Sequence, residues 1–271
     1  MRSLPILIAA GLLLPTVAQA QLTVDFGPRG EITKLRVGNV IYFKDIAVSL
    51  VKPGWAGHIV DQRAADPSAV KIEKSSDVTT YTTTLSGDGC RVRLRETARV
   101  APDSVALEYE IIPEQEIDTE VVLLQGTMPT ELHAGQTDYL VLDGDVSRGR
   151  CSAELNRDSY VLFGGCAADW VGFTRAQGPA LRVIPNDVLL QFQDNRKWNI
   201  PGFALLATTG GGRLAVGKTL RFGITYAADT TEQLETDAKR SHQGVLAGQQ
   251  LADNRPLAIR SASLDHQTVE T

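Results

Sequence analysis

Residues 78–112 read VTTYTTTLSGDGCRVRLRETARVAPDSVALEYEII, and this stretch decides the fold class. From Cys90 to Val100, apolar residues alternate with arginine and threonine, a period of two that buries one face of a β-strand and leaves the other in water. Asp88-Gly89 and Pro102-Asp103 are turn signals on either side of this run. The stretch therefore predicts three successive antiparallel strands joined by tight hairpins.

Two-residue turns define the register of the outer face. They set Arg95 opposite Glu110 and Thr97 opposite Glu108. Such cross-strand pairs contribute only some tenths of a kcal/mol each, so the basic row is interpreted as a solvated face rather than an anion site. The arginines expected to be exposed are Arg91, Arg93, Arg95 and Arg99.

Glu96 breaks the alternation, because the same register points it inward. It is predicted to lie beside Tyr81 on one neighbouring strand and Tyr109 on the other. Buried polar groups are normally paired, which favours a buried hydrogen-bonding cluster. The alternative is that Glu96 belongs to a polar cleft.

Turn signals recur every eight to twelve residues along the rest of the chain, between short runs rich in Val, Ile, Thr, Tyr and Leu. This pattern is typical of a β-sandwich or a β-barrel and therefore predicts an all-β fold. One helix is predicted near the C-terminus, from Glu232 to about Ala247, with Thr230 or Thr231 as its N-cap. Residues 257–271 are interpreted as a final strand or tail, and a downstream domain is left open as a partner.

Residues 1–20 are typical of a secretory signal peptide: Arg2 is basic, Leu4 to Val17 is almost wholly apolar, and Ala18-Gln19-Ala20 is a small-x-small cleavage site. Cleavage after Ala20 predicts a secreted or periplasmic protein. The predicted organisation is a signal peptide over 1–20, one large all-β domain over 21–228, and a helix with a strand or tail over 229–271. Elsewhere the chain has no apolar run of the roughly 20 residues that span a bilayer.

Composition and motif spacing argue against several classes of ligand. The formal net charge is −5, which argues against nucleic acid. The four histidines are scattered and no Cys-x-x-Cys occurs, so the sequence predicts no metal site. Gly210-Gly211-Gly212 lies between two predicted strands rather than before a helix, so it indicates a hairpin tip and no nucleotide cofactor.

Three cysteines in an exported chain allow one disulfide. Cys151 and Cys166 flank a segment that can fold as a hairpin about Asp158-Ser159, which predicts a bridge between them and leaves Cys90 unpaired. Closing such a loop would contribute about 3 kcal/mol. The alternative is that all three are small buried hydrophobic residues.

Sugar binding uses aromatic faces against C–H groups and polar side chains on hydroxyls. The segment Asp194-Asn195-Arg196-Lys197-Trp198-Asn199 fits this need best, unless Trp198 folds onto the core. The candidate carbohydrate-binding residues are Trp198, Arg196, Asp194, Trp170, Arg175 and Trp55.

Catalysis would need an acid and a base. Glu131 and His133 are two residues apart, so they share a face if the local strand continues, although Pro129 favours a strand end. His58 and Glu96 are the other candidates for an acid–base pair.

Three segments together resemble the galactose mutarotase-like β-supersandwich superfamily: Gly30-Glu31-Ile32-Thr33-Lys34-Leu35, Leu107-Glu108-Tyr109-Glu110-Ile111, and Ala215 to Ile224 before a helix. The resemblance covers roughly residues 22–228. It implies that the domain over 21–228 is a large antiparallel β-sandwich of the supersandwich type, the architecture of aldose epimerases, polysaccharide lyases and glycoside hydrolase accessory domains. The chain departs from the mutarotase pattern because two histidines and a glutamate do not fall in the catalytic positions, so the resemblance implies carbohydrate contact more than turnover.

The sequence thus predicts an exported protein that binds an oligo- or polysaccharide through a sheet face or its rim loops, without catalysis. A second hypothesis is a sugar epimerase or lyase using a His/Glu pair. A third is a cell-envelope protein that presents a sheet edge or apolar patch to a protein partner.

Overall fold

A computed structural model describes residues 20–241. Residues 1–19 of the predicted leader, the end of the predicted helix after residue 241 and the predicted C-terminal strand or tail lie outside the described residues. The described strands are β1 (Leu22–Phe26), β2 (Ile32–Val37), β3 (Val40–Val51), β4 (His58–Asp61), β5 (Lys71–Ser75), β6 (Val78–Gly87), β7 (Cys90–Val100), β8 (Ser104–Pro113), β9 (Ile117–Thr119), β10 (Val121–Met128), β11 (Thr137–Asp143), β12 (Asp145–Arg150), β13 (Val161–Cys166), β14 (Trp170–Arg175), β15 (Ala180–Asn186), β16 (Leu189–Asp194), β17 (Phe203–Thr209), β18 (Gly212–Leu214) and β19 (Leu220–Asp229).

Two large antiparallel sheets form the sandwich, which confirms the predicted fold class. One has eight strands in the order β1-β2-β3-β10-β17-β16-β13, with β4 paired to β3. The other has nine, in the order β12-β11-β14-β15-β19-β8-β7-β6-β5. The short strands β9 and β18 pair separately. One large apolar core fills the space between the sheets, and the largest side chains wholly within it include Tyr42, Phe43, Phe173, Phe192 and Phe203.

The central meander has the predicted register. Arg95 pairs with Glu110 and Thr97 with Glu108 across β7 and β8. Glu96 pairs with Tyr81 on one side and Tyr109 on the other, and it is 1% exposed. The four arginines of the outer row are exposed. The structure therefore confirms the register that alternation and turn residues predicted for this part of the fold.

A helix, α2, covers residues 231–241 at the end of the described chain, as predicted. The hydroxyl of Thr230 accepts a hydrogen bond from the backbone N–H of Gln233 (3.1 Å), so Thr230 is the N-cap. Leu234 and Ala238 are buried against Trp170 on the outer face of the nine-stranded sheet. The helix thus packs on the outside of the β body. A shorter helix, α1, covers Thr130–His133.

The segment between Cys151 and Cys166 differs from the prediction. The hairpin forms earlier, at Gly144, where β11 and β12 meet through the pair Asp143 and Asp145. After it the chain crosses to the other sheet, because β13 pairs with β16. All three cysteines are free in the structure. The structure therefore does not contain the predicted bridge: Cys151 follows β12 of the nine-stranded sheet, whereas Cys166 ends β13 of the eight-stranded sheet.

Successive side chains of a strand point to opposite faces of the sheet, and on the eight-stranded sheet the outer face carries a second apolar cluster. Along β17, Leu205 and Ala207 point into the sandwich core, whereas Ala204 and Leu206 belong to a second buried cluster with Val51 and Leu123. Side chains on a sheet face that points away from the core are buried only when something covers them. This outer face is where the site described next is built.

Candidate functional site

A cleft of about 550 Å³ lies over the outer face of the eight-stranded sheet. Its floor is apolar and consists of Val51 on β3, Leu123 on β10 and Leu206 on β17. Adjacent strands lie about 4.8 Å apart, so the four neighbouring strands β3, β10, β17 and β16 give a floor about 14 Å wide. A pocket of this size is within the usual range for organic ligands.

Three side-chain amides run along β16 into the turn that follows it. Gln191 donates to Oε1 of Gln193 (2.6 Å), and Gln193 donates to Oδ1 of Asn195 (2.9 Å). Gln191 and Gln193 are two residues apart and therefore share a strand face, opposite the core residue Phe192. All three amides line the cleft, as does Gln125 on β10. Gln191, Gln193 and Asn195 are called the amide ladder below.

Trp198 forms one wall of the cleft and is 47% exposed. It ends the short 3₁₀ turn Asn195–Trp198. Its ring contacts Tyr160 edge to face, with centroids 4.9 Å apart, and Tyr160 is held beside β16 because its carbonyl accepts from the backbone N–H of Asp194 (2.8 Å). The sequence-based expectation that Trp198 presents its ring to solvent is met.

Trp55 lies on another wall and is 54% exposed. It belongs to the turn Pro53–Trp55 and has φ 58°, a left-handed conformation that is uncommon for a bulky residue and costs on the order of 1–3 kcal/mol. The backbone N–H of Gly54 donates to Oε2 of Glu120 (2.8 Å), and Lys52 pairs with Asp88 (2.6 Å). The surrounding contacts thus hold a large apolar side chain in water at the mouth of the cleft.

Asp194 and Arg196 were predicted to contact sugar beside Trp198, but both are used to hold the backbone. The carboxylate of Asp194 is buried and accepts from the side chain and the backbone N–H of Arg196. The guanidinium also donates to the carbonyls of Ser152 and Ala153, each at 2.8 Å. The pair therefore fixes the turn that carries Trp198 and leaves neither group facing the cleft.

Trp170 and Arg175 lie on the other sheet, away from the cleft. Trp170 is 7% exposed and packs beneath α2. The Cζ atom of Arg182 lies over its ring, 5.0 Å from the centroid. Arg175 donates to the carbonyl of Leu132 and to Oε1 of Gln136, so it braces the loop after α1. Both predicted sugar contacts are structural residues here.

Glu131 and His133 do not form a pair, because α1 replaces the predicted strand end. Glu131 is exposed and lies 3.5 Å from Lys44. The ring of His133 is fully buried: Nε2 donates to the carbonyl of Ile41 (2.7 Å), and Nδ1 lies 2.8 Å from the hydroxyl of Thr137. Burial is the main cause that lowers the pKa of His133 to about 4, so the ring stays neutral near pH 7.

Glu96 belongs to a buried cluster inside the sandwich rather than to the cleft. Gln62 donates to its Oε2 (2.8 Å), and Gln62 also donates to the carbonyl of Arg29 (2.9 Å). Oε1 of Glu96 has no hydrogen-bond partner. Burial raises the pKa of Glu96 to about 8, against the lowering effect of the Gln62 bond, and nearby Glu31 raises it further. Glu96 is therefore buried beside Tyr81 and Tyr109 as predicted, but its hydrogen bond comes from Gln62, which the sequence did not point to.

The amide ladder was missed by sequence reasoning, although a signal for it was present. The run LLQFQDN over residues 189–195 alternates apolar and amide residues, which places the two glutamines on one strand face. His58 and Tyr160 also line the cleft. Only the tertiary structure shows that this strand face lines the same cleft as Trp55, which is far away in sequence.

Within residues 20–241 there is no group of three or more His, Cys, Asp or Glu side chains placed to hold a metal ion. Over the same residues no helix is long and apolar enough to cross a membrane.

The fold of this chain is similar to that of several solved structures. A galactose mutarotase-like protein from Lactobacillus casei matches with a TM-score of 0.57 and 11% identity, over 77% of this chain and 97% of that one. A putative aldose 1-epimerase from Escherichia coli K12 matches with a TM-score of 0.53 and 10% identity, over 77% of this chain and 96% of that one. An α-N-acetylgalactosaminidase from Bifidobacterium bifidum, solved with GalNAc, matches with a TM-score of 0.50 and 14% identity, over 77% of this chain and 35% of that one.

No protein-family profile matches the chain, and no curated protein matches it in sequence. At 10–14% identity these structural matches concern the fold alone. They confirm the galactose mutarotase-like resemblance at that level.

Proposed function

We propose that this chain, which has the galactose mutarotase-like fold, is an exported carbohydrate-binding protein whose binding site is the cleft over the eight-stranded sheet. The observation that carries the proposal is the pair of exposed tryptophans, Trp55 and Trp198, which line one cleft together with the amide ladder.

The chemistry of the cleft suits a sugar. A pyranose has apolar C–H patches that pack on aromatic rings, and hydroxyls that pair with groups able to donate and accept. Side-chain amides do both. The structural neighbours include an α-N-acetylgalactosaminidase solved with GalNAc, and this supports a carbohydrate ligand by analogy of fold.

The proposed role is binding without catalysis. The epimerase or lyase hypothesis pairs a histidine with a glutamate, and both must lie within hydrogen-bond reach of the substrate. Among the described residues that line the cleft, His58 and Tyr160 are the ionisable ones and no carboxylate is present. Glu131, His133 and Glu96, the other predicted acid–base candidates, each lie elsewhere.

Export is proposed from the sequence of the leader, with its basic, apolar and small-residue parts in order. Mass spectrometry of protein recovered from the native host should find Gln21 as the first residue. An intact Met1 leader on the mature protein would contradict export by this route.

A glycan array with the mature protein, followed by calorimetric titration of the hits, tests the binding function. Trp55→Ala and Trp198→Ala should each weaken binding by about 1–3 kcal/mol, the contribution of a large apolar contact. Leu189→Ala is the matched control, because Leu189 is an exposed apolar residue on β16 that does not line this cleft. Equal affinities for all three variants would contradict the assigned site.

Catalysis is tested on the same hits. Polarimetry of a hit with a free anomeric centre should give the same rate of anomer interconversion with and without the protein. A rate that rises with protein concentration and falls in His58→Ala would instead support the epimerase hypothesis.

A further inference from the structure

The amide ladder has a definite length. The Cα atoms of alternate strand residues lie about 6.6–6.8 Å apart, so those of residues i, i+2 and i+4 extend over about 13 Å. The amide groups form a shorter row, because each donates to the next at 2.6 and 2.9 Å. That row is still longer than a single pyranose ring. Trp198 stands immediately beyond one end of the ladder, three residues after Asn195. A ligand that used the whole ladder and the Trp198 wall would therefore contain more than one sugar unit.

The ladder also has a direction. Each amide donates to the next, from Gln191 to Gln193 and from Gln193 to Asn195. Each side-chain NH₂ carries two hydrogens, and the described bonds use one hydrogen of Gln191 and one of Gln193. The remaining N–H groups recur at each step along the cleft. A ligand that offers acceptor oxygens at a regular interval matches this arrangement.

The charges around the cleft are already engaged. No Asp, Glu, Lys or Arg side chain is among the described lining residues. The two nearest cations in sequence are Arg196, which pairs with Asp194, and Lys197, whose Nζ lies 3.5 Å from the centroid of the Tyr160 ring. An anionic ligand would lose hydration in the cleft without gaining a free cationic partner, and such burial is unfavourable.

We propose that the ligand of this cleft is an uncharged oligosaccharide of two or more units, lying along β16 with successive sugar oxygens on Gln191, Gln193 and Asn195. This inference rests on the proposed carbohydrate-binding function and adds the charge and the minimum length of the ligand. Trp198 contacts the sugar unit at one end of the oligosaccharide. The amide ladder makes a longer oligosaccharide bind more tightly than a single sugar.

Calorimetric titration with oligosaccharides of defined length tests the inference. The probes are neutral series from one to four units, built from galactose, from β-linked and α-linked glucose and from mannose, together with oligogalacturonates of equal lengths. For at least one neutral series, affinity should rise by about tenfold or more from one unit to three, the gain expected from two further hydrogen bonds. Oligogalacturonates should bind more weakly than neutral chains of equal length.

A variant of the middle amide separates a ladder from a single subsite. Gln193→Ala should weaken binding of the three-unit neutral ligand by about tenfold and leave binding of the one-unit sugar nearly unchanged. Gln115→Ala is the matched control, because that amide lies in the turn after β8, outside the cleft, where it donates to the carbonyl of Gly89. Circular dichroism and thermal unfolding confirm that each variant is folded.

Three results would overturn the inference while leaving carbohydrate binding intact. They are equal affinity for one and three units, tighter binding of the galacturonates, and equal loss for one-unit and three-unit ligands in Gln193→Ala. Failure of every probe and every array glycan to bind would instead overturn the proposed function, and the inference with it. The two failures are therefore distinguishable.

Discussion

Gln62 donates a hydrogen bond of 2.8 Å to the buried carboxyl group of Glu96 and joins two parts of the chain that are 34 residues apart. The same amide accepts from the backbone N–H of Val48 (3.0 Å) and donates to the carbonyl of Arg29. One side chain thus links the interior of β7 to β3 and to the turn after β1. A Cβ at Gly30 would lie 2.8 Å from Glu96, so glycine is required where that turn crosses the cluster.

Glu96 should make stability fall as the pH rises. Its pKa is about 8 when folded and near 4.5 when exposed, so between these values the folded protein holds a proton that the unfolded chain has released. Stability from this group is therefore fully present below about pH 4.5 and is lost as the pH rises towards 8, at up to about 1.4 kcal/mol per pH unit.

Glu96→Gln keeps an acceptor for Gln62 and removes the titration, so its unfolding free energy should exceed that of the wild type at pH 7. Urea unfolding between pH 5 and 9 measures the difference, which should grow with pH up to about 8. Glu108→Gln, on the exposed face of β8, is the control. A difference that is independent of pH would show that Glu96 is ionised when folded.

His133 should act in the opposite direction at acidic pH. Burial lowers its pKa to about 4 from 6.5, so below pH 6.5 the unfolded chain binds a proton that the folded protein does not. Stability from this group is present above pH 6.5 and is lost as the pH falls towards 4. Unfolding of wild type and His133→Gln between pH 4 and 7 should give a steeper acid loss for the wild type, with exposed His58→Gln as the control. Parallel pH profiles for wild type and His133→Gln would contradict this.

Trp170 and Trp198 should respond differently to the same substitution. Trp170→Ala opens a cavity beneath α2 and should cost about 3–5 kcal/mol of unfolding free energy, because Trp170 is almost fully buried. Trp198→Ala removes an exposed ring and its contact with Tyr160, and should cost about 1 kcal/mol or less. Chemical unfolding of both variants decides the point, and a loss in Trp198→Ala as large as that in Trp170→Ala would place Trp198 in the core.

The three thiols should differ in reactivity. Cys151 is fully buried beside Met128 (3.9 Å between sulfur atoms), and burial raises the pKa of its thiol to about 12. Cys90 and Cys166 are half-buried. Because the thiolate is the reactive form, brief alkylation of the native protein followed by peptide mapping should modify Cys90 and Cys166 well before Cys151. Alkylation in denaturant should modify all three, and a bridged Cys151–Cys166 peptide would contradict the structure.

Local pattern determined the elements whose partners are close in sequence. The period of two in residues 90–100 and the two-residue turns beside it were enough to place Glu96 inside and the four arginines outside, because a hairpin turn leaves one register that buries the apolar face. The N-cap of α2 and its buried stripe were predicted for the same reason. These features depend on backbone geometry and hydrophobic burial over a few residues.

The cleft could be decided only by tertiary structure. Trp55 and Trp198 are separated by more than half of the described chain, and they meet because β3, β10, β17 and β16 are neighbours in one sheet, an order that no local pattern specifies. Long-range pairing also places β13 beside β16, so that Cys166 lies in a different sheet from the hairpin that precedes Cys151. Sequence determined which face of each strand is apolar, whereas the pairing of distant strands determined which polar faces meet.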